Sequence, residues 1–283
     1  MKFAKYHALG NDYIVLNPSH KKSGLSEREI RLICHRNFGI GSDGILWGPL
    51  KSADCDFGIA IFNPDGSEAE KSGNGLRIFS RYLWDEKKVG NKPFTVETRG
   101  GKVTAQVFEH GKKVKVEMGR ITFISEKIPV TGPAREVINE KLRIKDQEFI
   151  FCAASIGNPH CVILLNEISA EMARTYGPDI EHHEIFPNRI NVQFLQILDR
   201  NNIRIEIWER GAGYTLASGS SSSAAAAIAH KLGFCDANIA VHMPGGQIDI
   251  AISPNFDIFM SGAVTKIAEG EMDMDMFENP LID

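Results

Sequence analysis

Residues 57–62 (Phe-Gly-Ile-Ala-Ile-Phe) and 203–208 (Ile-Arg-Ile-Glu-Ile-Trp) place apolar side chains at every second position. That period predicts two strands, each with one buried face. Each strand is followed by a Ser-Gly pair, at 72–73 and at 218–219, and then by a helical pattern. In the first helix Leu76, Phe79, Tyr82 and Leu83 fall on one side. In the second, the run Ala224 to Ala229 forms helix well. Its side chains are too small for an exposed apolar stripe, so it predicts close packing inside a sheet that wraps around it. A further helix is expected over 26–35, where Ser26 caps and Glu29 completes a capping box. Gly100-Gly101 and Gly245-Gly246 sit between strand-like runs and predict hairpin turns. Strands are expected elsewhere, which makes the fold class α+β and mostly antiparallel.

These features recur in order. Gly10-Asn11 to Leu16 aligns with Gly157-Asn158 to Ile163 at an offset of 147. The alternating strands and the Ser-Gly pairs align at 146, and Thr95 to Val103 aligns with Ala240 to Ile248 at 145. Four matches in one order at nearly constant offset predict an internal duplication. The 283 residues, at roughly 150 per domain, agree with two domains. We place the first at 1–118, completed by the C-terminal strand 264–283, and the second at 119–263.

Composition narrows the function. The 36 acidic and 32 basic residues leave a net charge of −4. This gives no electrostatic reason to bind nucleic acid or an anionic membrane. The longest apolar run is far below the ~20 residues needed to span a bilayer, and the first residues contain no signal-peptide stretch. A cytoplasmic location and a partner that is a small molecule or another protein are therefore expected. The five cysteines (34, 55, 152, 161 and 235) form no Cys-x-x-Cys. They predict buried free thiols rather than a metal site or disulfides.

The candidate chemistry lies at the two Ser-Gly helix starts. Helix N-termini present unpaired N–H groups and the positive end of the dipole, which suit a carboxylate as well as a phosphate. If the two halves face each other about a pseudo-twofold axis, both ends converge on one ligand between Ser72 and Ser218. The plainer reading makes both serines simple N-caps. No nucleotide-binding loop or Gly-x-Ser-x-Gly elbow is present.

The ordered set Gly10-Asn11-Asp12, Asn63-Pro64-Asp65-Gly66-Ser67, Gly73-Asn74-Gly75-Leu76-Arg77, Gly157-Asn158-Pro159-His160, Asn191 and Glu209-Arg210-Gly211 resembles the diaminopimelate epimerase family over essentially the whole chain. The resemblance implies two pseudo-symmetric domains, each a mostly antiparallel β-barrel around a central helix. It implies conversion of LL-2,6-diaminopimelate to the meso form, for lysine and cell-wall synthesis, in a homodimer with no metal and no pyridoxal cofactor. In such a site one group removes the α-proton and another protonates the opposite face. Gly73, Asn74, Gly219 and Ser220 would hold the α-carboxylate. His160 and Glu209 match residues near the two catalytic groups. Asn11, Asn63, Asn158, Asn191 and Arg210 match those that hold the substrate, including its distal end.

One departure stands out. Both catalytic positions carry cysteine in the family and serine here, Ser72 and Ser218; Ile78 and Ser223 stand at two further cysteine positions. A hydroxyl is much less acidic than a thiol and needs an adjacent base. Three readings follow: an engineered double Cys→Ser variant, a natural branch working with His160 and Glu209 as bases, or a non-catalytic binding relative. Ile78 and Ser223 favour the natural branch. A racemase, isomerase or dehydratase of the same fold, acting on another amino acid, is the alternative enzyme.

Overall fold

A computed structural model describes residues 1–21 and 23–278. The chain divides into two compact units: Met1–Val116 together with Gly262–Asp283, and Glu117–Ser261. The segment 264–283, expected to complete the first domain, is described as far as Glu278.

The first unit contains β1 (Lys2–Ala8), β2 (Asn11–Leu16), α1 (Glu27–Cys34), β3 (Ile45–Leu50), β4 (Phe57–Phe62), β5 (Glu68–Ala69), α2 (Gly73–Asp85), β6 (Phe94–Thr98), β7 (Gly101–Phe108) and the start of β8 (Lys113–Arg120). The second unit contains the rest of β8, then β9 (Glu140–Ile144), β10 (Gln147–Ser155), β11 (Pro159–Leu164), α3 (Ala170–Glu181), β12 (Asn191–Asp199), β13 (Asn202–Glu209), β14 (Gly213–Thr215), α4 (Gly219–Lys231), β15 (Asn238–Met243), β16 (Gly246–Ile252) and most of β17 (Asp257–Ala263). The chain then returns to the first unit as β18 (Thr265–Glu271).

The two sheets share one plan. The first runs β18-β1-β2-β3-β4-β6-β7-β8, with β5 added to β4. The second runs β9-β10-β11-β12-β13-β15-β16-β17, with β14 added to β13. Among the described residues, the neighbours in these two orders are antiparallel except β2/β3 and β4/β6 and their counterparts β11/β12 and β13/β15, which are parallel. The expected glycine pairs close the hairpins β6–β7 and β15–β16. The fold is therefore α+β, sheet-dominated and duplicated.

Each sheet wraps around its central helix. α2 packs against β1, β2, β3 and β7, and α4 against β10 through β13, β15 and β16. Ala224 through Ala229 are all buried, so the alanine run is set by the close approach of strands on every side. A second helix covers the outer face of each sheet. Ile30, Ile33 and Cys34 of α1 pack on Ile14, Leu16, Ile45 and Trp47. Ala173 and Ile180 of α3 pack on Phe151, Ile163, Val192 and Phe194. Because they are covered on both faces, the parallel strands β2 and β11 read as continuous apolar runs rather than alternating ones.

The capping box at Ser26 and Glu29 forms as expected. Helix α3 was not foreseen. Its start has a good cap, Ser169, whose hydroxyl accepts the Met172 N–H. However, its interior contains Pro178 and few apolar positions. All five cysteines are free. Four are buried as expected; Cys55, in the turn before β4, is only half-buried because that turn lies on the surface.

Candidate active site

The candidate side chains lie at one end of each sheet and at the start of the helix inside it. In the first unit Asn11 opens β2, and Asn63 follows the end of β4, which is antiparallel to β3. Gly10 turns the chain into Asn11 at φ +89°, and Gly157 turns it into Asn158 at +105°, a conformation open to residues without a Cβ.

Ser72 is the N-cap of α2, and its Oγ accepts the Gly75 N–H at 3.0 Å. The Tyr13 hydroxyl lies 3.2 Å from the same oxygen. The N–H groups of Gly73 and Asn74 lie in the first turn, where no intrahelical acceptor exists. The Asn74 side chain donates to Asn11 Oδ1 at 2.9 Å, and Asn11 donates to Asp43 Oδ2 at 2.9 Å. Asp43 is fixed in turn by Arg36, which also holds Asp12. Lysine and arginine partners keep the Asp12 carboxyl below its usual range against the opposing effect of burial. Asn63 stands apart from this cluster. Its side chain donates to Ser67 Oγ at 3.0 Å, and its backbone closes the turn with Ser67 and Gly66. Turn formation is thus one of its roles.

In the second unit the strand register gathers the site. His160 pairs with Asn191 across β11 and β12, and Glu209 lies at the adjoining end of β13, next to the Trp208–Val192 pair. Ser218 caps α4, with a long 3.4 Å bond from the Ser221 N–H. Ser218 Oγ is 3.5 Å from Ser220 Oγ, Ser220 accepts from Asn158 at 3.2 Å, and Asn158 Oδ1 meets His160 Nε2 at 3.0 Å. The first-turn N–H groups here belong to Gly219 and Ser220. Burial raises the Glu209 carboxyl above its ordinary value, and the neighbouring hydroxyls of Ser218 and Thr215 oppose the rise. Burial lowers His160 to about 3, so its imidazole is neutral at working pH.

Asn191 joins two loops: it donates to the Pro159 carbonyl at 2.8 Å and accepts the Arg210 N–H at 3.0 Å. The Arg210 side chain is exposed and donates to the Asn188 carbonyl at 3.0 Å, with no carboxylate partner among the described residues.

Three further residues support these groups. Asp43 orients Asn11. Gln193 donates to Ser221 Oγ at 3.0 Å beneath the α4 start. Buried Glu181 accepts the N–H groups of Gly211 and the Trp208 indole at 2.9 and 2.8 Å, which fixes the turn carrying Glu209 and Arg210. Glu181 ends α3, so missing that helix also hid the residue. Its one signal was an acidic residue at the close of a helix capped by Ser169. Among the described residues no cluster of three or more His, Cys, Asp or Glu side chains could hold a metal ion.

Solved structures share this architecture. The chain is similar to a probable proline racemase from Agrobacterium radiobacter (TM-score 0.71, 16% identity, covering 99% of this chain and 95% of that one). It is equally similar to a hydroxyproline epimerase from Agrobacterium vitis (TM-score 0.71, 14% identity, covering 100% and 94%). Sequence gives the family. The diaminopimelate epimerase family model matches residues 3–124 and 152–267. The chain is 62% identical to diaminopimelate epimerase 2 of Nostoc sp., over 98% of this chain and 97% of the relative. It is 36% identical to the diaminopimelate epimerase of Moorella thermoacetica, over 97% and 100%. The chain belongs to the diaminopimelate epimerase family.

Proposed function

We propose that this chain is a cofactor-independent isomerase that interconverts LL- and meso-2,6-diaminopimelate by moving a proton at Cα, a step serving lysine and cell-wall synthesis. The observation that carries the mechanism is the placement of Ser218, capping α4, beside Glu209 at the end of β13, a carboxyl whose proton affinity burial raises. A serine oxygen that accepts the α-proton must pass its own proton on, and Glu209 is the adjacent acceptor. Ser72 takes the second proton-transfer position, with the Tyr13 hydroxyl beside it as relay. One group removes the proton and the other returns one to the opposite face; the roles exchange in the reverse direction.

The α-proton is weakly acidic, so the developing carbanion must be stabilised. In this reading, the unpaired N–H groups of Gly73, Asn74, Gly219 and Ser220 hold the α-carboxylate and place positive potential where charge accumulates. Neutral His160, tied to Asn158, orients rather than charges the site. Asn11, Asn63, Asn158 and Asn191 position the substrate and its loops, and Arg210 reads the distal carboxylate. A homodimer that uses no metal and no pyridoxal cofactor belongs to the same reading.

The test is proton NMR of the chain with LL-diaminopimelate in D₂O. Loss of the Cα–H signal with appearance of the meso isomer is expected. Line broadening by binding, without exchange, would refute turnover and leave a recognition protein.

A further inference from the structure

We propose that Arg77 is the positioning residue of the α2 anion site: a buried cation without a counter-charge that locks the Asn74–Asn11 amide pair and supplies positive potential to the bound carboxylate. That the bound anion is an amino-acid carboxylate rests on the function proposed above.

Arg77 lies one turn into α2, and helical side chains lean toward the helix N-terminus. It is completely buried. Its Nη2 donates to Asn74 Oδ1 at 2.7 Å, while Nε and Nη1 have no hydrogen-bond partner. No carboxylate pairs with it among the described residues. Burial brings the guanidinium only to about 10, so it is charged at neutral pH. The fold makes room for it: a Cβ at Gly262 would stand 3.0 Å from Arg77 Nη1 and 3.1 Å from Cζ.

An unpaired buried charge destabilises a folded chain, and an apolar side chain of similar volume would do better. The cost is offset where a ligand supplies the missing charge. A guanidinium can only donate. It therefore holds Asn74 Oδ1 toward itself, turns Asn74 Nδ2 onto Asn11 Oδ1, and leaves Asn11 Nδ2 for Asp43. Neither amide can flip without facing donor to donor. A carboxylate at the first-turn N–H groups would meet the helix dipole and this cation in a medium of low dielectric.

Two measurements on the full chain test the idea. In calorimetric titration with LL-diaminopimelate, Arg77→Met is expected to weaken binding at least tenfold while its melting temperature stays level or rises; Arg77→Lys is expected to keep affinity within about threefold. A purely structural role predicts that Arg77→Met loses affinity and melting temperature together, and that outcome overturns the proposal, as does unchanged affinity. The second measurement needs no substrate. The thiol introduced by Ser72→Cys, followed by the pH dependence of its alkylation, is expected to titrate at least half a unit lower with Arg77 than with Arg77→Met. Equal titration overturns the proposed potential at the α2 start. If the parent chain gives no heat with diaminopimelate, the substrate assignment falls, and the thiol titration alone decides the role of Arg77.

Discussion

Replacing both serines by cysteine, Ser72→Cys with Ser218→Cys, sets two effects of opposite sign against each other. Each serine oxygen accepts a first-turn N–H: from Gly75 at 3.0 Å in α2 and from Ser221 at 3.4 Å in α4. A thiol is a weak acceptor. Losing an N-cap costs about 1 kcal/mol. The short bond at Ser72 should be worth about that much and the long one at Ser218 about half of it. At roughly 2–4 °C per kcal/mol for a unit of this size, the double variant should melt about 3–6 °C below the parent. Activity should move the other way. A free thiol titrates near 8.5, within reach of working pH, and a well-placed acid or base contributes about 10²–10⁴ in rate. Meso-diaminopimelate formation in D₂O, followed by proton NMR, should rise at least a hundredfold. Either single replacement should gain far less, because the transfer needs both an acid and a base. A double variant that melts as expected yet forms meso product no faster would refute the acid/base assignment of positions 72 and 218.

Glu209→Gln should abolish exchange at Cα and also change the pH profile of stability. A carboxyl whose folded pKa is raised carries no penalty below its unfolded value near 4.3 and the full penalty above the folded value. The variant should therefore melt above the parent at pH 8 and level with it below pH 4; a constant difference would argue against the raised value. Arg210→Ala should weaken binding of diaminopimelate more than that of alanine in calorimetric titration, since the exposed guanidinium has no carboxylate partner among the described residues. Equal losses would remove Arg210 from the distal end. Ala226→Leu forces extra volume into a fully buried helix surrounded by strands. It should cost about 1–3 kcal/mol, read as a drop of several degrees in melting temperature; no drop would show space around α4.

The sequence alone was enough for whatever depends on local pattern or on repetition. The period-two runs at 57–62 and 203–208 became β4 and β13, and Ser26 and Glu29 formed their box because a capping box needs only four neighbouring residues. The duplication was legible because both halves keep the same spacing between strand, Ser-Gly and helix. The alanine run announced an enclosed helix because no exposed helix gains anything from so many small side chains. The site residues were legible as motifs, and their order along the chain carried the family.

What the sequence could not supply was partnership across long separations. Asn11 and Asn74 are 63 residues apart, and only the wrapping of β2 beside α2 brings their amides to 2.9 Å. Asn191 meets His160 through a parallel register that no local signal encodes. Helix α3 escaped notice because its stability comes from packing on the outer face of a sheet, not from its own periodicity. Glu181 was hidden with it. Arg77 shows the limit most clearly: in the sequence it closes a motif without a role of its own, and only burial on every side turns it into an unpaired cation beneath the Asn74 amide. Pattern determines which elements form and which faces are apolar, because those depend on neighbours along the chain. Charge without a partner, raised proton affinity and shared hydrogen bonds depend on which distant groups exclude water from one another, and only the tertiary structure decides that.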